Sequence, residues 1–274
     1  LEPLLEDFFR PLQRGKYLEK YRVLGDHYIV TIDGTGYHSS KKIECSGCLK
    51  KKMKNGEIRY EHQVEQAALM HPGMRQVIPI AVEEIRNTDG KDKQDCEINA
   101  AKRLIPKIRK SHPKLKIIIG GDSINSRQPF IESLQSEGMR YVLVAKEEDH
   151  KILMEWVNEQ RQMKEVSRME ITDQKGRLHR YEWINEVPLN GNENPLWVNY
   201  FEYWIIEEGE VNYHNSWVTD FTVNDKNVNE LVRIGRCKWK IENECFNTLK
   251  NQGYHIGHNY GHGKKHLSMN FYLL

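Results

Sequence analysis

One stretch near the N-terminus decides the fold class, and it reads His27-Tyr28-Ile29-Val30-Thr31-Ile32-Asp33-Gly34-Thr35-Gly36. Five of the six residues over 28–33 are β-branched or aromatic, which predicts a strand with apolar side chains on both faces. We expect this strand to end at Asp33, where the glycines allow a sharp turn. The alternative for this carboxylate is a role in capping a turn.

A second apolar run of the same kind covers residues 115–123 and reads Leu-Lys-Ile-Ile-Ile-Gly-Gly-Asp-Ser. It closes on glycines and then on Asp122. Ligands of open α/β sheets lie outside the carboxyl ends of the strands, so Asp33 and Asp122 are both expected there. Two converging acids predict a divalent cation site.

Length and charge set broad limits. The chain has 274 residues, enough for one large domain or two small ones, and its net charge of +2 does not by itself indicate nucleic acid. Basic residues nevertheless crowd two segments. They are Lys41, Lys42, Lys50, Lys51, Lys52, Lys54 and Arg59 in one, and Lys102, Arg103, Lys107, Arg109, Lys110, Lys114 and Lys116 in the other. A solvated face explains either cluster taken alone.

The sequence has neither a run of about eighteen apolar residues nor a signal-peptide pattern, so it predicts no membrane insertion and no secretion. Its five irregularly spaced cysteines favour a reducing compartment. The chain begins without methionine and stops inside an apolar run, which is typical of a fragment of a longer protein.

A Cys-x-x-Cys pair, Cys45 and Cys48, lies inside the first basic segment. Such a pair supplies half of a zinc site, with His38, His62 or His71 as candidate partners. No second pair follows at a standard spacing, and ordinary reduced cysteines are the alternative interpretation.

The order of predicted elements indicates the topology. An amphipathic segment over 1–20 precedes the first strand, and the remaining elements are strands over 57–63 and 76–84, a helix over 95–110, the Asp122 strand, a helix over 128–138 and a strand over 141–145. This order is that of an α/β fold with a ribonuclease H-like mixed sheet flanked by helices. A flavodoxin-like sheet would alternate strand and helix from the start, and no Gly-x-Gly-x-x-Gly supports a dinucleotide enzyme.

The residue pattern changes over 165–222, where short runs of alternating apolar and polar residues, separated by turn residues, predict a β-rich insertion before the last catalytic helix. Its aromatic residues are expected to form its core, and a base-stacking platform is the alternative. They are Trp183, Trp197, Tyr200, Tyr203, Trp204 and Trp217. We therefore divide the chain into a lead-in or linker (1–22), a core (23–164 and 223–274) and an insertion (165–222).

The last strong pattern is a helical stripe over 227–251 in which Glu242 shares the apolar face. A carboxylate on an apolar face needs a partner, and a salt bridge to Lys238 is the simple explanation. Together with Asp33 and Asp122, however, Glu242 completes a set of three acids that can hold two Mg²⁺ or Mn²⁺ ions.

These residues resemble a known family. The sequence is similar to bacterial insertion-sequence transposases of the DDE type, in the insertion-sequence-four grouping, from about residue 27 onward. The resemblance rests on the segments Ile32-Asp33-Gly34-Thr35 and Asp122-Ser123, on the late helical motif over 236–250, and on His258-Asn259-Tyr260-Gly261-His262-Gly263.

The resemblance implies a cut-and-paste transposase in which Asp33, Asp122 and Glu242 are the catalytic triad and the metal ligands. These residues would cut the transposon end and transfer its 3′-hydroxyl into target DNA. The implied partners are DNA, as transposon ends and target, and a second copy of the chain in a homodimeric paired-end complex. The implied location is the bacterial cytoplasm, in association with the nucleoid.

The chain departs from the signature of that grouping, which places Tyr seven residues before the catalytic Glu, Arg four before and Lys seven after. Those positions hold Gly235, Lys238 and Leu249 here, and a lysine follows one place later at Lys250. Lys238, helped by Arg236 and Lys250, is therefore the expected DNA-phosphate contact.

Two other functions fit the same residues. One is an inactive DNA-binding transposase remnant that keeps the fold, and the other is a ribonuclease H-like nuclease that hydrolyses without joining. Four histidines near the C-terminus, His255, His258, His262 and His266, are expected in a loop beside the active site, and a metal cluster is their alternative role.

Overall fold

The computed structural model describes residues 2–86, 95–259, 261 and 267–274. The chain forms two compact units: the first contains Leu1–Tyr21, Val30–Leu115 and Trp239–Leu274, and the second contains Arg22–Ile29 and Lys116–Lys238. The strands are β1 (Arg22–Val23), β2 (His27–Ser40), β3 (Leu49–Lys52), β4 (Ile58–Met70), β5 (Ile78–Ile85), β6 (Lys116–Gly121), β7 (Arg140–Val144), β8 (Ser167–Thr172), β9 (Leu178–Pro188), β10 (Trp197–Glu207) and β11 (Glu210–Thr219). The helices are α1 (Glu2–Arg14), α2 (Glu97–Ser111), α3 (Gln128–Ser136), α4 (Lys151–Met163), α5 (Val228–Arg236), α6 (Lys238–Lys240), α7 (Asn247–Asn251) and α8 (Leu267–Leu273).

In the first unit, β4 is the strand that pairs with the most neighbours. It is antiparallel to β3, where Leu49 lies opposite Glu61, and antiparallel to β5, where Ala67 lies opposite Ala81. It also lies next to β2 in the sheet. β4 and β5 confirm two predicted strands. The sequence does not predict β3. Its three lysines are exposed and only Leu49 is buried, so apolar and polar residues do not alternate along it.

The prediction that the first strand ends at Asp33 is wrong, because β2 continues to Ser40. Burial continues along it, for example at Tyr37. The glycine after Asp33 allows a close approach instead of a turn: a Cβ on Gly34 would lie 2.5 Å from Oε1 of Glu97. The absence of a side chain at Gly34 thus makes room for Glu97 against the strand.

Helices cover this sheet as the sequence predicts. The amphipathic lead-in forms α1, which packs on β5 and buries Phe9. α2 confirms the predicted helix over 95–110 and packs on β4 and β5. Its buried face is the predicted one: Ala100, Ala101, Leu104, Ile105 and Ile108.

The second unit contains the strand order β6-β7-β11-β10-β9-β8. β6 and β7 are parallel, with Ile118 opposite Arg140, whereas β11 runs antiparallel to β7. α3 and α5 pack on β7, and α4 packs on β9. The protein is therefore α/β, with a mixed sheet flanked by helices, and this architecture is compatible with the predicted ribonuclease H-like fold.

The predicted β-rich segment forms the antiparallel strands β8 to β11. Most of its aromatic residues are core residues, as expected: Trp183, Tyr200, Tyr203 and Trp217 are buried. Trp197 is exposed, and Trp204 is half-buried and stacks on His214. Because β11 pairs with β7, this segment extends the sheet of the second unit.

The predicted helix over 227–251 is divided. α5 ends at Arg236, the short helix α6 follows, and a π-helical turn covers Ile241–Phe246 before α7. A π turn inserts an extra residue per turn and changes the direction of the side chains that follow it. A simple 3.6-residue period therefore predicts the helix but not the exact facing of residues beyond Lys240.

Candidate functional site

Asp122 follows β6 directly, as predicted, at the carboxyl end of a parallel strand. The backbone N–H of Ser123 donates a hydrogen bond to Oδ1 of Asp122 at 2.7 Å. The preceding glycine permits a tight approach: a Cβ on Gly121 would lie 3.1 Å from Leu143 and 3.2 Å from Asn125. The local fold thus presents the Asp122 carboxylate with one oxygen fixed by the backbone.

Two lysines lie beside this carboxylate. Lys238 Nζ is 3.4 Å from Oδ2 of Asp122, and Lys146 Nζ is 3.9 Å from Oδ1. Burial raises the pKa of Asp122, but the Ser123 N–H and the charges of the lysines outweigh it, so the pKa lies below its ordinary value. Asp122 is therefore a fixed, ionised carboxylate next to two ammonium groups.

Two buried residues, Ser126 and His150, stabilise the turn after Asp122 through hydrogen bonds. Ser126 Oγ donates to the carbonyl of Ser123 at 2.7 Å and lies 2.6 Å from Nε2 of His150. Since the single hydroxyl proton goes to Ser123, the imidazole Nε2–H donates to Ser126. Burial is the main cause that lowers the pKa of His150, which favours the neutral ring. Ser126 is fully buried, so this pair positions the turn and is closed to a substrate.

Asp33 lies within β2 and is half-buried. The side chain of Glu97, from the first turn of α2, packs over the neighbouring Gly34. Glu97 brings a second carboxylate to this part of the first unit. Sequence reasoning missed it because Glu97 lies at the start of a helix, where acidic residues are common.

Glu242 lies in the π-helical turn, half-buried between the buried residues Ile241 and Cys245. Its neighbour Glu244 faces elsewhere and pairs with Arg75, whose Nε is 3.4 Å from Glu244 Oε2. π turns inside helices occur frequently at functional sites. Asp33 and Glu242 belong to the first unit and Asp122 to the second.

The other two predicted phosphate contacts lie against aromatic rings. The guanidinium of Arg236 lies 4.6 Å from the ring centre of Tyr213 and 5.7 Å from that of Tyr203. Lys250 Nζ is 5.9 Å from the ring centre of Phe246. Both are exposed, so each retains a face toward solvent.

Gly235, which stands where the transposase signature has Tyr, is covered by Trp217. A Cβ on Gly235 would lie 2.5 Å from Nε1 of that indole, and Trp217 is fully buried and stacks on Phe201 at 5.3 Å. The space for a side chain at position 235 is therefore already occupied by a ring from β11.

The Cys-x-x-Cys pair meets a histidine. Cys45 Sγ and Cys48 Sγ lie 3.3 and 3.4 Å from Nε2 of His62, and the two sulfurs are 3.6 Å apart. His62 is one of the three predicted partners. The other two are not part of this group among the described residues. The His38 ring centre is 5.8 Å from that of His62, and His71 packs edge-on against Tyr21.

Two of the four C-terminal histidines, His262 and His266, lie outside the described residues. Of the others, His255 has a left-handed backbone, with φ of 48°, and His258 lines a pocket of about 290 Å³ in the first unit. Tyr37, His38 and Tyr272 also line that pocket. The described residues 254–259 of this segment form neither helix nor strand, in line with the prediction of a loop.

No protein-family model and no curated protein matches the chain. In the described part of the chain, no helix is long and apolar enough to span a membrane.

Proposed function

We propose that this protein is the catalytic domain of a bacterial DDE transposase, which cuts DNA and joins DNA strands with Asp33, Asp122 and Glu242 as its metal ligands. The observation that carries the proposal is the contact of Lys238 with Asp122. Lys238 lies four residues, about one helical turn, before Glu242, at the position of the basic residue in the transposase signature. The lysine that stands where the signature has Arg thus contacts the strand-end carboxylate, and this contact supports the proposal.

The donor set suits Mg²⁺ or Mn²⁺, because all three ligands are carboxylates and hard cations prefer oxygen. Bound at such a site, two ions supply activation of the attacking oxygen and stabilisation of the leaving oxygen in phosphodiester chemistry. The backbone hydrogen bond to Asp122 and its lowered pKa keep that ligand ionised and oriented at neutral pH.

Lys238 and Lys146 have a separate role in the proposal. Each is an ammonium group on a flexible stem, so each can turn from Asp122 to a DNA phosphate without losing a charge partner. Lys238 is the less exposed of the two, with 12% of its side chain exposed against 49% for Lys146, so solvent screens its charge less. Contacts of this kind position DNA without reading its sequence.

The proposal is tested first by titrating Mn²⁺ into the purified chain with isothermal titration calorimetry. We expect Asp33→Ala, Asp122→Ala and Glu242→Ala each to weaken binding more than about tenfold, since loss of outer-shell partners alone costs that much. Glu244→Ala is the matched control, because Glu244 lies two residues from Glu242 and pairs with Arg75. It is expected to bind as the parent chain does.

The second test is nicking of supercoiled plasmid in Mn²⁺ and joining of a 3′-hydroxyl oligonucleotide to that plasmid. Activity that persists in all three folded triad variants would contradict the proposal. Nicking without joined products would favour a ribonuclease H-like nuclease, and salt-sensitive DNA binding without cleavage would favour the inactive remnant. We further propose DNA and a second copy of the chain as partners, and a nucleoid-associated cytoplasmic location.

A further inference from the structure

A second candidate metal centre lies in the first unit and contains softer ligands. Among the described residues, Cys45, Cys48 and His62 form a group whose ligand atoms all lie within 4.8 Å of one another. Cys48 and His62 are buried, with 1% and 2% of their surfaces exposed. All five cysteines are free thiols. Two thiols and an imidazole are typical ligands of zinc.

The geometry also fits zinc. A tetrahedral ion with bonds of about 2.3 Å to sulfur and about 2.1 Å to nitrogen holds its sulfurs about 3.8 Å apart and each sulfur about 3.6 Å from the nitrogen. The corresponding distances are 3.6 Å between the sulfurs and 3.3 and 3.4 Å from the sulfurs to His62 Nε2. A disulfide would instead require sulfurs about 2.05 Å apart.

The fold explains why these three residues meet. β3 pairs with β4 in a register that places Leu49 opposite Glu61, so the preceding Cys48 comes opposite His62. A tight turn, closed by the hydrogen bond from Cys48 N–H to Cys45 O at 3.1 Å, then returns Cys45 to the same place. The backbone N–H of Cys45 also donates to Cys48 Sγ at 3.3 Å, which fixes the position of that sulfur.

We propose that Cys45, Cys48 and His62 bind one structural zinc ion that fastens the loop before β3 to β4. This site is separate from the proposed carboxylate site and does not depend on the proposed function. Zinc bound there would order β3, whose lysines Lys50, Lys51 and Lys52 are all exposed. The three residues leave one position of the tetrahedron for a fourth ligand.

The test is the zinc content of the full chain, purified under reducing conditions from cells grown with zinc, measured by inductively coupled plasma mass spectrometry. We expect about one zinc per chain, falling below about one tenth in Cys45→Ser, Cys48→Ser and His62→Ala, because each change removes one of the three protein ligands. The matched controls are Cys96→Ser, at an exposed cysteine, and His71→Ala. Both should retain zinc.

A substitution could remove zinc simply because the chain fails to fold, so a second measurement uses the unmodified chain. After removal of zinc, added Co²⁺ should give the intense visible bands of a tetrahedral thiolate complex, and Zn²⁺ should displace it. Zinc removal should also lower the melting temperature reversibly. A chain that is folded, fully reduced and free of zinc, and that gives no such Co²⁺ bands, would overturn the proposal, as would zinc retained in His62→Ala.

Discussion

Lys238 Nζ lies 3.4 Å from Oδ2 of Asp122, so the first residue of α6 contacts the carboxylate that follows β6. These two residues are 116 positions apart in sequence. The simple explanation for Glu242, a salt bridge to Lys238 one turn back, gives no indication of this long-range contact. The pair therefore offers the most direct way to test how the strand-end carboxylate is set up.

Lys238→Met is expected to raise the pKa of Asp122 toward its ordinary value, because it removes a neighbouring positive charge. Lys146→Met is the control and should have a smaller effect, since Lys146 is farther away and half exposed. Carbon-13 NMR of the carboxylate across pH 2–6 measures both. The lowered pKa adds stability above the unfolded value of about 3.9, and that contribution is lost as pH falls through the folded pKa. An unchanged Asp122 titration in Lys238→Met would contradict this account.

His150 should make the fold less stable below about pH 6.5, because its folded pKa is lowered and the unfolded chain binds more protons there. The contribution is fully present above that pH and is lost as the pH falls. In His150→Gln, whose amide can still donate to Ser126, denaturant unfolding should show a weaker pH dependence. Some dependence should remain, since burial lowers the pKa of His112 in the same way. An identical pH dependence in the two chains would count against a neutral buried His150.

Gly235→Ala should destabilise the protein by about 1–3 kcal/mol, because the new Cβ would collide with the buried indole of Trp217. The higher helix propensity of alanine would offset about 1 kcal/mol of a larger steric cost. Urea unfolding measures the change. Gly257→Ala is the control, since no atom lies within 4 Å of its Cβ position. Trp217→Phe in the same chain should relieve part of the cost, and strict additivity of the two changes would argue against the predicted collision.

Gly34→Ala should displace the Glu97 side chain, because its Cβ would lie 2.5 Å from Glu97 Oε1. We expect a loss of about 1 kcal/mol in unfolding free energy, smaller than a rigid clash would give, since a flexible side chain can move. Gly36→Ala, two residues along the same strand with its nearest neighbours at 3.8 and 3.9 Å, is the matched control. Adding Glu97→Ala should remove the difference between the two alanine variants. A difference that survives would show that the backbone of β2 is responsible.

Much of this architecture was predictable from local patterns. The apolar face of α2 follows from its 3.6-residue period, and β6 follows from its isoleucine run and the glycines before Asp122. The β-rich nature of residues 165–222 follows from aromatic and β-branched alternation. Each of these features depends on residues close together in sequence, which is why composition and spacing are sufficient.

Other features depend on contacts that local patterns do not encode. The first strand passes through Asp33 to Ser40 because its neighbours support it, and Gly34 serves to admit Glu97 from a helix that begins more than sixty residues later. β3 exists because β4 supplies its partner groups, despite a run of lysines. The π turn around Glu242 likewise changes a helix whose existence, but not whose exact winding, the sequence predicts.

The sequence by itself determined the fold class, the identity of the acids Asp33, Asp122 and Glu242 as candidate ligands, and the Cys45–Cys48 pair. Tertiary structure alone decided that Lys238 meets Asp122, that Trp217 fills the space above Gly235, and that His62 rather than His38 or His71 meets the two sulfurs. The physical reason is the range of the interactions. Periodicity and propensity act over one or two turns of chain, whereas ion pairs, close packing and metal ligation join residues that only strand register and helix packing bring together.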